Sequence, residues 1–193
     1  GLSYTTFALS NLKLSSGKIT DADTLTASVT VKNTGKVAGK ETVQLYVAPP
    51  EDQKSFRPVR ELKGFQKVSL NPGEEKTVSF SLDKRSFAYY ETRIPGWYAG
   101  DGEYEVSVGT SSRDLPLHEK VRISSAERIP LKITDTTTLG DVLRYGKQPE
   151  LLEPVLEKMR KAFGLTSEGA NPEMFRQMID GMPIHSIASF FSE

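Results

Sequence analysis

Thr24–Ala48, TLTASVTVKNTGKVAGKETVQLYVA, is the stretch whose reading decides the fold. Leu25, Ala27, Val29 and Val31 alternate with Thr24, Thr26, Ser28, Thr30 and Lys32. Farther on, Val43, Leu45 and Val47 alternate with Thr42, Gln44 and Tyr46. An apolar residue at every second position sets one face of a β-strand on a core and leaves the other in water. Between the two runs, Asn33-Thr34-Gly35-Lys36 has turn chemistry, and Gly39 is a second flexible point. The stretch reads as two strands joined by a turn, paired in a register that a one-residue slip would invert. The remaining strands of the first two-thirds of the chain are expected to pack on this pair.

Working outward, Phe7–Leu14 is a strand with Phe7, Leu9, Leu12 and Leu14 toward the core, and its broken alternation near Asn11 predicts a bulge or a switch between sheets. Ser15–Gly17 and Asp21–Asp23 read as loop, as does the polar stretch Pro49–Pro58. Arg60–Leu70, with Leu62, Phe65 and Val68, and Lys76–Leu82, with Val78, Phe80 and Leu82, are strands around the turn Asn71-Pro72-Gly73-Glu74. Asp83–Gly102 is aromatic and irregular; Glu103–Gly109 and Leu117–Ile123 complete about seven strands. Strands of this length, separated by turn residues and free of helical period, describe an immunoglobulin-like or fibronectin-type β-sandwich, mainly β. Tyr104, at the start of the penultimate strand, is either a tyrosine corner or a plain core residue.

After residue 126 the pattern changes. Thr138-Leu139-Gly140-Asp141 resembles a capping box. Leu151, Leu152, Val155, Leu156, Met159 and Phe163 share one helical face, with Pro154 at the first position of the helix and Gly164 as its stop. Asn171-Pro172-Glu173 opens a second helix carrying Met174, Phe175, Met178 and Ile179, and Pro183 opens a short last one with Ile184, Ile187, Phe190 and Phe191. The expected organisation is a sandwich over residues 1–126 and a small helical extension over 127–193.

Acidic and basic residues balance at 25 each, which argues against a nucleic-acid binder. No apolar run approaches the ~20 residues of a membrane-spanning helix. The chain has no cysteine, which excludes a disulfide framework and fits a cytoplasmic, reducing setting, although many secreted bacterial proteins lack cysteine too. It opens Gly1-Leu2-Ser3-Tyr4 without Met, as a piece of a longer protein would.

Chemistry is sparse. There is no phosphate-binding loop, dinucleotide fingerprint or nucleophile elbow, so no cofactor is expected. His118 and His185 stand apart without ligand spacing, so no metal is expected either. Glycoside hydrolysis needs two carboxylates facing each other across a sugar, and nothing singles out such a pair among Glu51, Asp52, Glu74, Glu75, Asp83, Asp101 and Glu103. Two groups remain. Tyr89, Tyr90, Trp97 and Tyr98 form either a sugar-stacking platform or the closure of one end of the sandwich. Phe56, Arg57, Arg60 and Glu61 sit on a loop that can reach a neighbouring surface or a cleft rim, where an arginine can fork onto a carboxylate.

Several motifs carry a family resemblance. Gly1–Phe7, Val31–Gly35 with Gly39–Val47, Arg57–Phe65 (RPVRELKGF) and Gly102–Ser112 (GEYEVSVGTSS) resemble, in that order, the C-terminal fibronectin type III-like domain of glycoside hydrolase family 3, which includes β-glucosidases and β-xylosidases. The resemblance covers roughly residues 1–125; the helical tail resembles extensions in some bacterial members more loosely. It implies a parent with two upstream domains, a barrel carrying an Asp nucleophile and an α/β sandwich carrying a Glu acid/base, acting with retention through a covalent glycosyl-enzyme. Neither catalytic residue has a counterpart here. The implied role is a non-catalytic accessory domain whose partner is the catalytic part of the same parent. The alternatives are an independent carbohydrate-binding module, for which an oligosaccharide is the partner, and a β-sandwich that adheres or oligomerises through Met174, Met178, Phe190 and Phe191.

Overall fold

The computed structural model describes residues 4–51, 56–146, 149–164 and 172–190. The chain divides into two compact units, Gly1–Arg128 and Ile129–Glu193. In the first, β3 (Leu25–Asn33) lies between β1 (Phe7–Leu14) and β6 (Glu75–Leu82) in a three-stranded antiparallel sheet. A five-stranded sheet faces it, in the order β2 (Lys18–Thr20), β10 (Leu117–Ser124), β9 (Gly102–Gly109), β4 (Gly39–Ala48), β5 (Glu61–Leu70). The fold is a fibronectin type III-like β-sandwich, mainly β. Leu25, Ala27, Val29 and Val31 of β3 meet Val43, Leu45 and Val47 of β4 in one core with Val78, Phe80, Val106 and Val108. Each of the valine, leucine and phenylalanine side chains contributes roughly 1.5–3 kcal/mol by leaving water.

The Thr24–Ala48 stretch is therefore not a hairpin. β3 and β4 belong to opposite sheets and are packed face to face rather than hydrogen-bonded side by side. The alternation that buries one face of each strand is satisfied equally well by either arrangement, and the connection decides. At its start Asn33, with no exposed surface, uses all four hydrogen-bonding capacities of its side chain. Its Oδ1 accepts from the Thr5 hydroxyl (2.7 Å) and the Gly35 N–H (3.0 Å), and its Nδ2 donates to the carbonyls of Val37 (2.8 Å) and Leu70 (3.0 Å). The amide thus ties together the lead-in to β1, the crossover and the end of β5. Gly35 has to be glycine at this crossing, because a Cβ there would lie 2.0 Å from the Thr5 Oγ1.

The remaining strands follow the alternation closely. The break at Asn11 is a register shift between Ser10 and Lys13, with Asn11 at φ 55°. Gly73 takes φ 75° in the β5–β6 turn. Lys18–Thr20, between the two loops read at Ser15–Gly17 and Asp21–Asp23, is a short strand parallel to β10. Asp83–Gly102 is more ordered than its sequence suggests: Asp83 caps the single-turn α1 (Lys84–Phe87), and β7 (Tyr89–Glu91) pairs with β8 (Gly96–Tyr98). On β5 only Val68 and Leu70 are buried, while Leu62 and Phe65 face solvent on the sheet edge. Tyr104 is both a core residue and a tyrosine corner. Its ring packs edge-on to Phe87 at 5.5 Å, and its hydroxyl donates to the Gly100 carbonyl at 3.1 Å.

The second unit is built on α2 (Leu139–Tyr145), α3 (Glu153–Ala162) and α4 (Pro172–Asp180). Thr138 and Asp141 form a full capping box, each side chain bonding the other's backbone N–H. Leu139, Leu156, Met159, Phe175 and Ile179 make its core. Leu151, Phe163, Met174 and Met178, placed by helical period among the apolar residues, are exposed. α3 begins at Glu153 after a 3-10 turn over Pro149–Leu152, and a second 3-10 segment spans Ile184–Phe190. The Asn171 cap, Phe191, the side chain of Phe190, the opening Gly1-Leu2-Ser3 and residues 52–55 of the polar loop lie outside the described residues.

Candidate functional site

The two groups singled out by sequence meet at one end of the sandwich, and Arg57 joins them. Only 3% of its side chain is exposed. One Nη donates to the Phe87 carbonyl at 2.8 Å, the other to Glu61 Oε1 at 2.8 Å, and the guanidinium lies 5.6 Å from the centre of the Tyr89 ring. The arginine is thus spent on a carboxylate of its own loop four residues on, and on the joint between α1 and β7. Lys63 takes the other oxygen of Glu61 at 2.9 Å. Burial raises the Glu61 carboxyl, but the bonds from Arg57 and Lys63 outweigh it and leave the group below its ordinary value. Burial likewise pushes the Tyr104 hydroxyl up to about 12, against the opposing charge of Arg57. Around this fixed centre Phe56, Val59 and Arg60 are exposed, and Leu62 follows on the edge strand.

The four aromatics divide between the two faces of the β7–β8 hairpin because neighbouring strand residues point opposite ways. Tyr89 and Tyr98 pair edge-to-face at 5.9 Å and are half-buried. Tyr90 and Trp97 pair on the other face, also at 5.9 Å, with 55% and 41% of their surface open and their planes at 83°. They make a corner rather than a flat shelf. Arg85 of α1 places its guanidinium 4.4 Å from the centre of the Trp97 ring. The hairpin turn is locked from within. Arg93 grips both oxygens of buried Glu91, through Nε at 2.8 Å and Nη2 at 2.7 Å, and the Tyr89 hydroxyl donates to the same carboxylate at 3.2 Å. Those bonds, Arg93's first, hold Glu91 at about 2 despite its burial.

Comparison with known proteins fits this architecture. Residues 41–112 match the fibronectin type III-like domain model. The chain is 44% identical over 192 residues to thermostable β-glucosidase B of Acetivibrio thermocellus, covering 98% of this chain and 25% of that protein. It is 37% identical to an exo-α-(1→6)-L-arabinopyranosidase of Bifidobacterium breve, covering 100% of this chain and 25% of the relative. The crystal structure of a glycoside hydrolase family 3 β-glucosidase from Bifidobacterium adolescentis superposes with a TM-score of 0.66 at 38% identity, over 79% of this chain and 22% of that one. The chain carries a fibronectin type III-like domain and is similar to the C-terminal part of glycoside hydrolase family 3 enzymes.

The chain spans about a quarter of the length of the curated relatives it matches. Among its described residues no cluster of three or more His, Cys, Asp or Glu has the arrangement of a metal site. Sequence reading picked out Arg57, Glu61 and Tyr89 but not Phe87 and Ala88, whose backbone carbonyls also receive the guanidinium, at 2.8 and 3.5 Å. Their apolar character gave no sign of it. The Glu91–Arg93 lock also escaped notice, although its spacing, acid and base two residues apart in a turn between aromatic strands, was there to be read.

Proposed function

We propose that this chain is a non-catalytic accessory domain of a β-glucosidase-like family 3 enzyme that cleaves β-glycosidic bonds with retention, its catalytic carboxylates lying on other parts of the polypeptide. The observation that carries this reading is that the whole chain, sandwich and helices together, matches about a quarter of a β-glucosidase and of an arabinopyranosidase. The surface around Arg57 supports it: Phe56 and Val59 on the loop, and Leu62 at the start of β5, expose apolar side chains around a buried guanidinium, as suits a rigid docking edge. That edge is proposed to rest on the catalytic domains or the rim of their cleft.

The test compares the full enzyme, the enzyme lacking these residues and the isolated chain on an aryl β-glucoside. The chain alone should release no aglycone, the shortened enzyme should lose thermal stability, and Phe56→Asp in the full enzyme should reproduce part of that loss. Hydrolysis by the isolated chain, or unchanged stability on deletion, would overturn the reading.

A further inference from the structure

We infer that the Tyr90–Trp97 corner is a second, non-catalytic sugar site that holds one pyranose unit of a neutral β-linked gluco-oligosaccharide. The choice of sugar rests on the β-glucosidase reading above; the site itself rests on the hairpin. Two open rings meet at 83°, so one can lie against the C–H face of a pyranose while the other closes its side. Ring faces suit that surface because it is apolar, while the hydroxyls around the sugar's rim need donors and acceptors. The Arg85 guanidinium beside Trp97 supplies N–H donors, and the Tyr90 hydroxyl can both donate and accept.

The corner is also held in shape before any ligand arrives. Its β-turn is pinned by the Arg93–Glu91 fork, and Tyr89 and Tyr98 anchor the opposite face of the hairpin. Little ordering entropy remains to oppose binding. A site built from two rings and one cation is expected to be weak, with half-saturation in the millimolar range.

The chain has a single tryptophan, Trp97, which makes it its own reporter. Its emission is titrated in the full 193-residue chain with cellotetraose, and with glycerol at matched mass as the solvent control. A saturable change with cellotetraose and none with glycerol is expected. Tyr90→Ala, which keeps the reporter and alters an exposed residue, should weaken binding roughly tenfold at an unchanged thermal midpoint. Arg85→Ala should weaken it in the same direction. No saturable change, an equal response to glycerol, or an unaltered titration in Tyr90→Ala would overturn the inference. Such a failure, with the deletion experiment above still positive, removes the sugar site alone. A responding Trp97 in a chain whose deletion leaves the enzyme unaffected would instead remove the accessory reading.

Discussion

Replacing Asn33 by Ala is the most searching test of how the two sheets are joined. The substitution removes four hydrogen bonds at once. Those to Thr5 and Leu70 are buried, and those to Val37 and Gly35 are partly accessible to water. A buried polar group left without its partner costs about 1–3 kcal/mol, and a bond that water can replace costs about 0.5–1.5 kcal/mol. The four share one amide and do not add independently, so the expected loss is about 4 kcal/mol. That is a large fraction of the roughly 5–15 kcal/mol of an ordinary domain. It corresponds to a fall of roughly 15 °C in the melting midpoint of the sandwich. Urea unfolding followed through Trp97 measures it directly, with the m-value as the check that the denatured state is unchanged. Asn33→Asp should cost at least as much at neutral pH, because an acceptor oxygen would then face the Val37 and Leu70 carbonyls. A loss for Asn33→Ala below about 1 kcal/mol would refute the reasoning: the crossover would then be held by backbone bonds such as Asn33 N–H to Glu74, Gly73 N–H to Asn33 and Thr34 N–H to Thr6.

Glu91 should make the sandwich acid-sensitive. Its folded value near 2 lies below the ordinary 4.5, so its contribution is complete above pH 4.5 and is lost as the pH falls toward 2. The contribution is roughly 3 kcal/mol, and urea midpoints measured down that range should fall less steeply in Glu91→Gln than in the parent chain. Tyr104→Phe keeps the ring against Phe87 but leaves the Gly100 carbonyl without its donor, and should cost roughly 1–3 kcal/mol by the same urea assay. Gly140→Ala would set a Cβ 2.6 Å from the Asp180 carbonyl oxygen, where α2 crosses α4. The helical unit should lose roughly 3 kcal/mol, seen as an earlier melt of the far-ultraviolet helix signal with the Trp97-monitored transition of the sandwich unchanged.

The sequence made some levels of this fold legible and hid others. Period-two alternation marks which side chains are buried, and Val78, Phe80, Leu82, Tyr104, Val106 and Val108 all lie inward as it predicts. Alternation does not say which strand pairs with which. β3 and β4 each bury one face whether they lie side by side or across the core, and the deciding contacts of Asn33 run to Thr5 and Leu70, far away in the chain. The helical unit shows the same limit. The Thr138 capping box is a local motif and was readable, whereas the exposure of Leu151, Met174 and Met178 depends on how helices separated in sequence meet. At the candidate site the residue types were evident, but the division of the four aromatics between two faces required the β7–β8 pairing, which the irregular stretch around Ile94-Pro95-Gly96 concealed.

The parallel pairing of β2 with β10 also bears on how the chain is made. Lys18 to Thr20 leave the ribosome ahead of most of the sandwich, yet their partners Arg122 to Ser124 follow roughly a hundred residues later. Two further bonds wait on the same late segment, because the Asp21 carboxylate accepts the N–H of Ala126 and the Asp21 N–H donates to the Ser124 carbonyl. The first edge of the five-stranded sheet therefore stays open through almost the whole synthesis of the sandwich, and closes as one of the last events in it. A ribosome that stalls or terminates before Arg122 releases a chain with most of its core residues and an unpaired sheet edge, the kind of nascent product that chaperones hold and proteases clear.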